Sequence, residues 1–395
     1  MKVLICHNFY AQEGGENLVV RAEISLLRRA GVEVQEFLAD SAEIAGYSAF
    51  RKLLFPFNTF FSIQQYLRLR REIKRTRPDV VEVHNVFPLL SPSVYVGAIL
   101  HGVPIVQVVH NYRFLCINGI LFTHGKVCER CKGGNYLHGI RYKCFRDSYH
   151  LSTLYALVMQ FYRAIGLWHR IDLFVALSPF AKSKMVEGGI SADKIVVRPN
   201  TVPAKDKIPS TEYGDFALFL GRLSNEKGIE TLAKAFQICS NRKLTIAGSG
   251  PALDEVMNSI AHMPNVEFAG NVEGGTKEML LAKCRFVIVP SIWYETFGLV
   301  VLEAFQYSKA VIASRIGSLE SLVGEDGAGF LFEAGNELQL ASLIERLFTD
   351  DDLCRQAGQS ARKRYLSQFT PEQFVLNQIA ILEKASEQHS SRFSS

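Results

Sequence analysis

Two carboxylates, two cations and one helix start are spaced along the second half of the chain so that together they could hold a phosphorylated sugar. The stretch Val287–Ala304, VIVPSIWYETFGLVVLEA, joins an apolar strand, a polar loop and a helix start, with Glu295 before the helix and Glu303 inside it. Such a corner leaves the backbone N–H groups of Phe297, Gly298 and Leu299 without helical partners, and with the helix dipole they favour an anion, most readily a phosphate. Two carboxylates touching that phosphate would repel it, so Glu295 and Glu303 read better as acceptors for hydroxyl groups on either side. One anion site between two hydroxyl readers describes a nucleotide sugar: ribose, diphosphate, hexose. The competing reading of the same residues is a turn cap at Glu295 and a solvated helix face at Glu303.

The segment GRLSNEKG (221–228) adds the cations. Gly221 lets the backbone turn after a strand, and Arg222 and Lys227 are placed to neutralise charge that grows on a departing diphosphate. Each charge-assisted contact contributes about 1.5 to 3 kcal/mol. Taken singly, these cations read equally as surface partners of Glu226 and Glu230. AGSGP (247–251) brings small residues, Gly250 among them, to another strand end where a ligand could approach the backbone. It is not a dinucleotide fingerprint, because Leu253 stands where the third glycine belongs, and this argues against a nicotinamide enzyme. QEGGEN (12–17) offers Gly14, Gly15 and Glu16 to an acceptor, or else forms a flexible turn.

The elements that must position these groups follow a repeating plan. Strand-like runs at 2–6, 33–37, 80–84, 104–109, 172–177 and 194–197 alternate with helical patterns, and after RPNTVP (198–203) the series restarts at 216–221, 243–248, 265–270, 285–290, 310–314 and 328–332. A βαβ series implies a parallel sheet covered on both faces. The expectation is an α/β chain of two doubly wound, Rossmann-like domains facing each other across a cleft, with ligands at the carboxyl ends of the strands. The boundaries are 1–203 for an acceptor-binding domain, 204–370 for a donor-binding domain, 371–388 for a last helix and 389–395 for a flexible tail. Leu299, Val300, Val301 and Leu302 are expected to face the second sheet.

Composition excludes several classes. With 48% apolar and 21% charged residues, the 395-residue chain reads as an ordinary globular protein. The apolar start VLIC ends at His7 and Asn8, too short for a secretory core, and Leu151–Trp168 is too polar to span a bilayer, so a cytoplasmic protein is expected. The basic charge is confined to the first half, +10 over residues 1–200 (25 basic against 15 acidic) and −5 over 201–395 (19 against 24). Residues 51–77 hold eight basic side chains and one acidic, interleaved with Leu53, Leu54, Phe55, Phe57, Phe60, Phe61 and Tyr66. With Phe50 beside it, the 50–77 stretch suits an anionic membrane surface, which places the chain at the inner face of a membrane; a solvated basic helix is the plainer reading. No nucleic-acid module accompanies the charge.

The set GG-E near residue 15, N-x-V-P near 200, GRLxxEKG at 221, GSGP at 248 and PSxxYETFGLVVLEA at 290 resembles retaining glycosyltransferases of family 4, which have the GT-B fold. Each motif is weak alone; five in this order over nearly the whole chain are specific. The resemblance implies a nucleoside-diphosphate sugar donor held by the second domain and a glycan or lipid-linked acceptor held by the first, as in surface polysaccharide and lipopolysaccharide synthesis. By position it implies that Arg222 and Lys227 hold the diphosphate and Glu303 the ribose. Glu295 and the amides of Phe297 to Leu299 would hold the transferred sugar and its phosphate, and His110, in VVHNYR, would lie beside that sugar. It implies a last helix that crosses back to the first domain, so that closure excludes water. No convincing nucleophile is visible, which favours front-face attack with no metal needed for transfer. Asp350, Asp351 and Asp352 imitate a metal motif, but following Thr349 they read as a helix cap. A nucleotide-sugar epimerase on the same fold, and a non-catalytic interaction protein, are the other readings.

Cys116, Cys128, Cys131 and Cys144 form C-x11-C-x2-C-x12-C inside an insert at 116–144. A cytoplasmic location disfavours disulfides, and the C-x2-C pair with two further thiols suits a tetrahedral structural zinc. Disulfides, uncoordinated thiols and an iron–sulfur cluster are the readings left beside it. A similar insert occurs in a subset of the resembled family. Cys6, Cys239, Cys284 and Cys354 lie in apolar patterns and are expected to be buried.

Overall fold

The computed structural model describes residues 1–11, 14–204, 213–324 and 326–393. Gln12 and Glu13 of QEGGEN, and residues 205–212 of the linker, lie outside the described residues. The chain divides into two compact units. One comprises Met1–Gly119, Glu129–Asn200 and Pro371–Ser395; the other comprises Ile120–Cys128 and Thr201–Thr370.

The strands in chain order are β1 Lys2–Phe9, β2 Glu33–Asp40, β3 Val80–Val83, β4 Ile105–Val109, β5 Phe122–Thr123, β6 Lys126–Val127, β7 Leu173–Ala176, β8 Ile195–Val197, β9 Phe216–Leu220, β10 Lys243–Ala247, β11 Val266–Gly270, β12 Phe286–Val289, β13 Ala310–Ser314 and β14 Gly329–Phe332. The first unit holds a six-stranded sheet in the order β2-β1-β3-β4-β7-β8, and the second a sheet in the order β11-β10-β9-β12-β13-β14. Every pair in both sheets is parallel. The runs KVLIC and VVEV show why: both are buried along nearly their whole length, which only helices on both faces of a sheet can provide. Both orders reverse direction once, between β1 and β3 in the first unit and between β9 and β12 in the second. In doubly wound sheets ligands bind where the order reverses.

In the second unit Phe219, Leu223, Phe236, Ile246, Phe286, Ile288 and Ile312 are fully or almost fully buried and form one core with the helices on its faces. The helix Leu299–Gln306 buries Val301, Leu302, Ala304 and Phe305, while Leu299 and Val300 stay half-buried. The expectation that all four of Leu299–Leu302 face the sheet therefore fails, since one helical turn cannot aim four consecutive side chains in one direction.

Two segments differ from the expected boundaries. The last helix runs Pro371–Phe393, through most of the stretch expected to be a flexible tail at 389–395, and His389 Nδ1 lies 3.2 Å from Asp172 Oδ1. The cysteine insert, expected to lie wholly in the first domain, is divided: the β5–β6 hairpin groups with the second unit and the rest with the first. Among the described residues no helix is long and apolar enough to cross a membrane. Asp350 caps the helix Asp351–Gln368 by accepting the Leu353 amide at 2.8 Å, and Asp351 pairs with Arg285, so the acidic triplet serves a helix start as its context predicts.

Candidate functional site

In the second unit the loops after β9 and β12 meet at the reversal point, and they carry most of the residues singled out from sequence. Glycine makes the meeting possible. At Gly228 (φ +71°) a Cβ would stand 1.8 Å from the Pro290 carbonyl oxygen. At Gly248 (φ +149°) it would stand 1.8 Å from Gly221 O, and at Gly250 2.2 Å from Leu223 O. Only a residue without a side chain fits such approaches. Gly250, expected to face a ligand, is thus already required for packing its own loop against the turn at Gly221. The Ile292 amide donates to Glu226 O at 2.9 Å and ties the two loops together.

Across this contact Lys227 Nζ donates to Glu295 Oε1 at 2.5 Å. Ser291 Oγ donates to the same oxygen at 2.8 Å, and the ammonium also lies 5.2 Å from the centre of the Trp293 ring. Glu295 is almost buried and its own backbone carbonyl accepts the Ser318 amide at 3.2 Å, which fixes the residue's main chain beneath these two side-chain contacts. Gly317 (φ +60°) lies against the backbone of Tyr294 and Glu295, where a Cβ would be 3.0 Å from Glu295 N. An ammonium carries three N–H donors, so Lys227 can take an anion without leaving Glu295.

Gly298 (φ +109°) caps the helix Leu299–Gln306, and among the described residues the amides of Phe297, Gly298 and Leu299 donate to no backbone carbonyl. Phe297 is buried; Leu299 is half-buried. Glu303, one turn further on, accepts a 2.6 Å bond from Lys277 of the helix Gly274–Lys283. Arg222 is exposed and makes no ion pair among the described residues. Gly221 is half-buried in the turn after β9. Neither Arg222 nor Lys227 pairs with Glu226 or Glu230; Glu226 accepts from Ser224 Oγ and Glu230 pairs with Lys234.

The first unit places His110 directly after β4. His84, directly after the neighbouring β3, has its Nδ1 2.8 Å from His110 Nε2, and the two rings stack at 5.1 Å. His7 on β1 is 6.0 Å from the His84 ring. Burial holds all three imidazoles below the ordinary histidine range, His7 at about 3, His84 at about 4 and His110 well down, so each is neutral at neutral pH.

Gly14 caps the helix Gly15–Arg29 in extended conformation, with Gly15 exposed as its first residue. Glu16 accepts from Tyr10 Oη at 3.2 Å and from Asn111 Nδ2 at 3.4 Å. Burial pushes its carboxyl up to about 7, with Arg113 opposing the rise. Glu16 is thereby tied to the residue that follows His110 in the chain.

Cys131 and Cys116 are buried, Cys128 and Cys144 half-buried, and all eight cysteines are thiols rather than disulfides. Cys6, Cys239, Cys284 and Cys354 are buried, as their apolar patterns predict. Among the described residues one set of three possible metal ligands lies within a 4.8 Å spacing, Glu23, Glu82 and His84, and it contains no cysteine.

Sequence reading missed three of these contributors. Ser291 and Lys277 carry no motif of their own, and they act through contacts with residues that do. His84 was legible in principle: a histidine ends β3 as His110 ends β4, and consecutive strands of a βαβ series are often neighbours.

Two family models match the chain. Glycosyltransferase Family 4 matches residues 13–206 and Glycosyl transferases group 1 matches residues 203–364. The O-antigen chain mannosyltransferase C of Escherichia coli is 27% identical over 220 residues, 52% of this chain and 58% of that protein. The sulfoquinovosyl transferase SQD2 of Arabidopsis thaliana is 29% identical over 149 residues, 37% of this chain and 29% of that protein. The chain spans less than two thirds of the length of the curated relatives it matches. Among solved structures, HepE of Anabaena in complex with UDP superposes with a TM-score of 0.70 at 19% identity, over 97% of this chain and all of that one. A sucrose-phosphate synthase from Thermosynechococcus elongatus superposes with a TM-score of 0.69 at 18% identity, over 97% and 98%. These structures share the architecture of two parallel-sheet Rossmann-like domains. Matched one after the other from residue 13 to residue 364, the two family models support a GT-B glycosyltransferase family for this chain.

Proposed function

We propose that the chain is a retaining glycosyltransferase that moves a hexose from a nucleoside-diphosphate sugar to a lipid-linked glycan in the synthesis of a surface polysaccharide. The observation that carries this reading is the Lys227–Glu295 contact at 2.5 Å, built across two glycine-closed loops at the reversal point of the second sheet. A cation for the diphosphate and a carboxylate for the sugar hydroxyls are held side by side there. Two relatives lend it support: one is named an O-antigen mannosyltransferase, and the Anabaena structure holds UDP.

In this reading Arg222 and Lys227 take the diphosphate, the amides of Phe297, Gly298 and Leu299 take its sugar-side phosphate, and Glu295 the hexose. Glu303 reads the ribose while paired with Lys277. His110 and Glu16 serve the transferred sugar and the acceptor. The acceptor hydroxyl attacks on the face from which the diphosphate leaves. Its proton passes to a departing phosphate oxygen, whose growing charge the two cations and the helix start stabilise. Thermal-shift screening with UDP, GDP and their sugars tests the donor assignment. A nucleotide should raise the melting temperature, and the matching sugar nucleotide should be hydrolysed slowly without acceptor. No shift with any of them removes the proposal, and epimerisation without acceptor replaces it.

The same proposal places the enzyme at the cytoplasmic face of a membrane. On the helix Ala49–Phe60, Phe50, Leu53 and Phe57 are 68 to 70% exposed at a spacing that puts them on one face. Arg51, Lys52, Arg70, Arg71 and Lys74 are exposed in the same region. Basic groups near an anionic leaflet contribute about 1 kcal/mol each. Binding to phosphatidylglycerol vesicles but not to phosphatidylcholine vesicles, lost in Phe50→Ser with Phe57→Ser, is the expected result; equal binding to both removes the anionic surface. Structural zinc on the four cysteines is a separate proposal that rests on their sequence spacing, and elemental analysis of the wild type against Cys128→Ser with Cys131→Ser decides it.

A further inference from the structure

We propose that Arg113 holds an oxyanion of the acceptor, a carboxylate or a phosphate, in a cavity of the first unit, with the Trp168 indole N–H as a second donor. The inference rests on the transferase reading, in which the first unit takes the acceptor, but the anion site it names is a property of the chain without donor.

The cavity lies at the carboxyl ends of β3 and β4, beside the point where the first sheet reverses, which is where doubly wound folds take ligands. Asn85 and Phe87 follow β3, Asn111, Arg113 and Phe114 follow β4, and Trp168 completes the wall. The space they line measures about 320 Å³, part of it open to solvent. His84 lines the same space and stacks on His110 at 5.1 Å, so a group bound there lies next to the residue read as touching the transferred sugar.

Charge decides what the cavity takes. Among the described residues Arg113 is the one cation that lines it, and no acid does. Burial opposes the charge of the guanidinium, but Tyr10, Tyr155 and Glu16 nearby outweigh it, so Arg113 stays a cation. Glu16 acts through space only. Its carboxyl bonds Tyr10 and Asn111, it does not line the cavity, and among the described residues Arg113 forms no ion pair. The guanidinium instead lies 5.6 Å from the centre of the Phe87 ring and 6.0 Å from that of Tyr155, and its Nη1 reaches Asn85 Oδ1 at a long 3.4 Å. A half-buried cation without a carboxylate is costly, and an anion that enters the cavity offsets that cost.

The hydrogen bonds of the wall point the same way. Asn85 donates to Asn8 O and Phe87 O and accepts the Phe87 amide, and Asn111 donates to Tyr10 Oη and Glu16 and accepts the Arg113 amide, so both side-chain amides are engaged. Two buried nitrogens of lining residues have no hydrogen-bond partner among the described residues, Nε of Arg113 and Nε1 of Trp168. Each carries a proton and can only donate. Water would satisfy the donors and leave the charge unmatched, whereas an oxyanion meets both. The rings of Phe87, Phe114 and Trp168 give the cavity the apolar walls that suit the sugar carrying that group.

The test uses the full chain labelled with nitrogen-15 in tryptophan, which gives two indole N–H signals, Trp168 and Trp293, assigned through Trp293→Phe. Titration with methyl glucuronide and with glycerol phosphate, against neutral methyl glucoside, separates a sugar carboxylate from a phosphate ester. The Trp168 signal should move to saturation with one or both anions and stay in place with the glucoside. Arg113→Gln should weaken that binding about 10- to 100-fold, the size of a lost charge-assisted contact, and Arg113→Lys, which keeps the charge but not the planar fork, should weaken it less. A Trp168 signal unmoved by both anions overturns the proposal. So does an equal response to the glucoside, or an unchanged anion affinity in Arg113→Gln. The wild-type titration decides even if a variant does not fold. A chain that binds neither UDP nor GDP loses the transferase reading and keeps the anion site; a chain that binds nucleotide but leaves Trp168 unmoved keeps the transferase reading and loses this proposal.

Discussion

The two units solve opposite electrostatic problems on the same architecture. In the second unit the working charges sit at the rim: Lys227 and Glu295 are held by loops, Arg222 is exposed, and Glu303 with Lys277 is partly open to water. In the first unit the ionisable groups are sealed: Glu23, Glu82, His84 and Arg198 are all buried. A site that must admit and release a diphosphate keeps its cations solvated until the ligand arrives. Sealed ionisable groups are instead held by one another and by their burial, which moves their proton affinities away from the ordinary values. Residues that look alike in sequence, an acid beside a base, thus play different parts according to how much water reaches them.

The comparison breaks most visibly at Lys227. Lys227→Ala removes the cation from the rim and takes the ammonium away from Glu295. Turnover of the donor should fall about 10²- to 10³-fold, the usual cost of losing one donor to developing charge. Near-normal turnover would take Lys227 out of the site and leave the second unit with a merely structural ion pair. Next comes Gly228→Ala, which drives a Cβ into the Pro290 carbonyl at a positive φ. We expect a loss of about 2 to 3 kcal/mol in the stability of the second unit together with weaker nucleotide binding. A variant of wild-type stability would mean that the two loops need not touch.

The sealed charges of the first unit should show in its pH dependence. Burial raises Glu23 to about 8 and Glu16 to about 7 and raises Glu82, whereas it lowers His7, His84 and His110. A raised carboxyl binds its proton more tightly in the folded state, so its stabilisation is complete below about pH 4.5 and is lost as pH climbs through the folded value. The lowered histidines act only below about pH 6.5, where the unfolded chain takes up protons that the folded chain refuses, and there stability falls as pH falls. Between pH 6.5 and 8 the carboxyls act alone, and the first unit should lose stability as pH rises. Trp168 lies in the first unit and Trp293 in the second, and the chain has no other tryptophan, so Trp168 fluorescence in a Trp293→Phe background reads the first unit by itself. Glu23→Gln should flatten that slope; an unchanged slope would assign it to other groups.

Most of the fold was legible because buried parallel strands announce themselves. Runs such as AVIAS and KVLIC are apolar without alternation, and the structure places strands at Ala310–Ser314 and Lys2–Phe9. Boundaries were less legible: the last helix reaches Phe393 because side chains as late as Ala385 are buried, which a polar ending conceals. At the site the residue types could be read but not their partners. Lys227 and Glu295 were each identified, yet their contact spans 68 positions and depends on β12 pairing beside β9. Lys277 was missed because a lone lysine in an exposed helix carries no signal until Glu303 is seen opposite it.

That last pair gives the mildest test of the contrast between rim and interior. Lys277 and Glu303 are 29% and 21% exposed, so solvent screens their attraction, and pairs of this kind contribute about 0.2 to 1 kcal/mol to stability. Lys277→Ala should therefore change the melting of the second unit little. Its effect on ligand binding separates two roles for Glu303. If the carboxylate reads ribose and the lysine only orients it, affinity for UDP or GDP, whichever binds, should fall less than about tenfold in Lys277→Ala and further in Glu303→Gln, because the amide keeps the shape but loses one acceptor. If the pair only ties two helices together, both variants should bind nucleotide like the wild type. A rim that tolerates the loss of one partner while the interior responds strongly to Glu23→Gln, which removes the buried partner of Arg198, would show that the two units divide the labour by solvent access rather than by residue type.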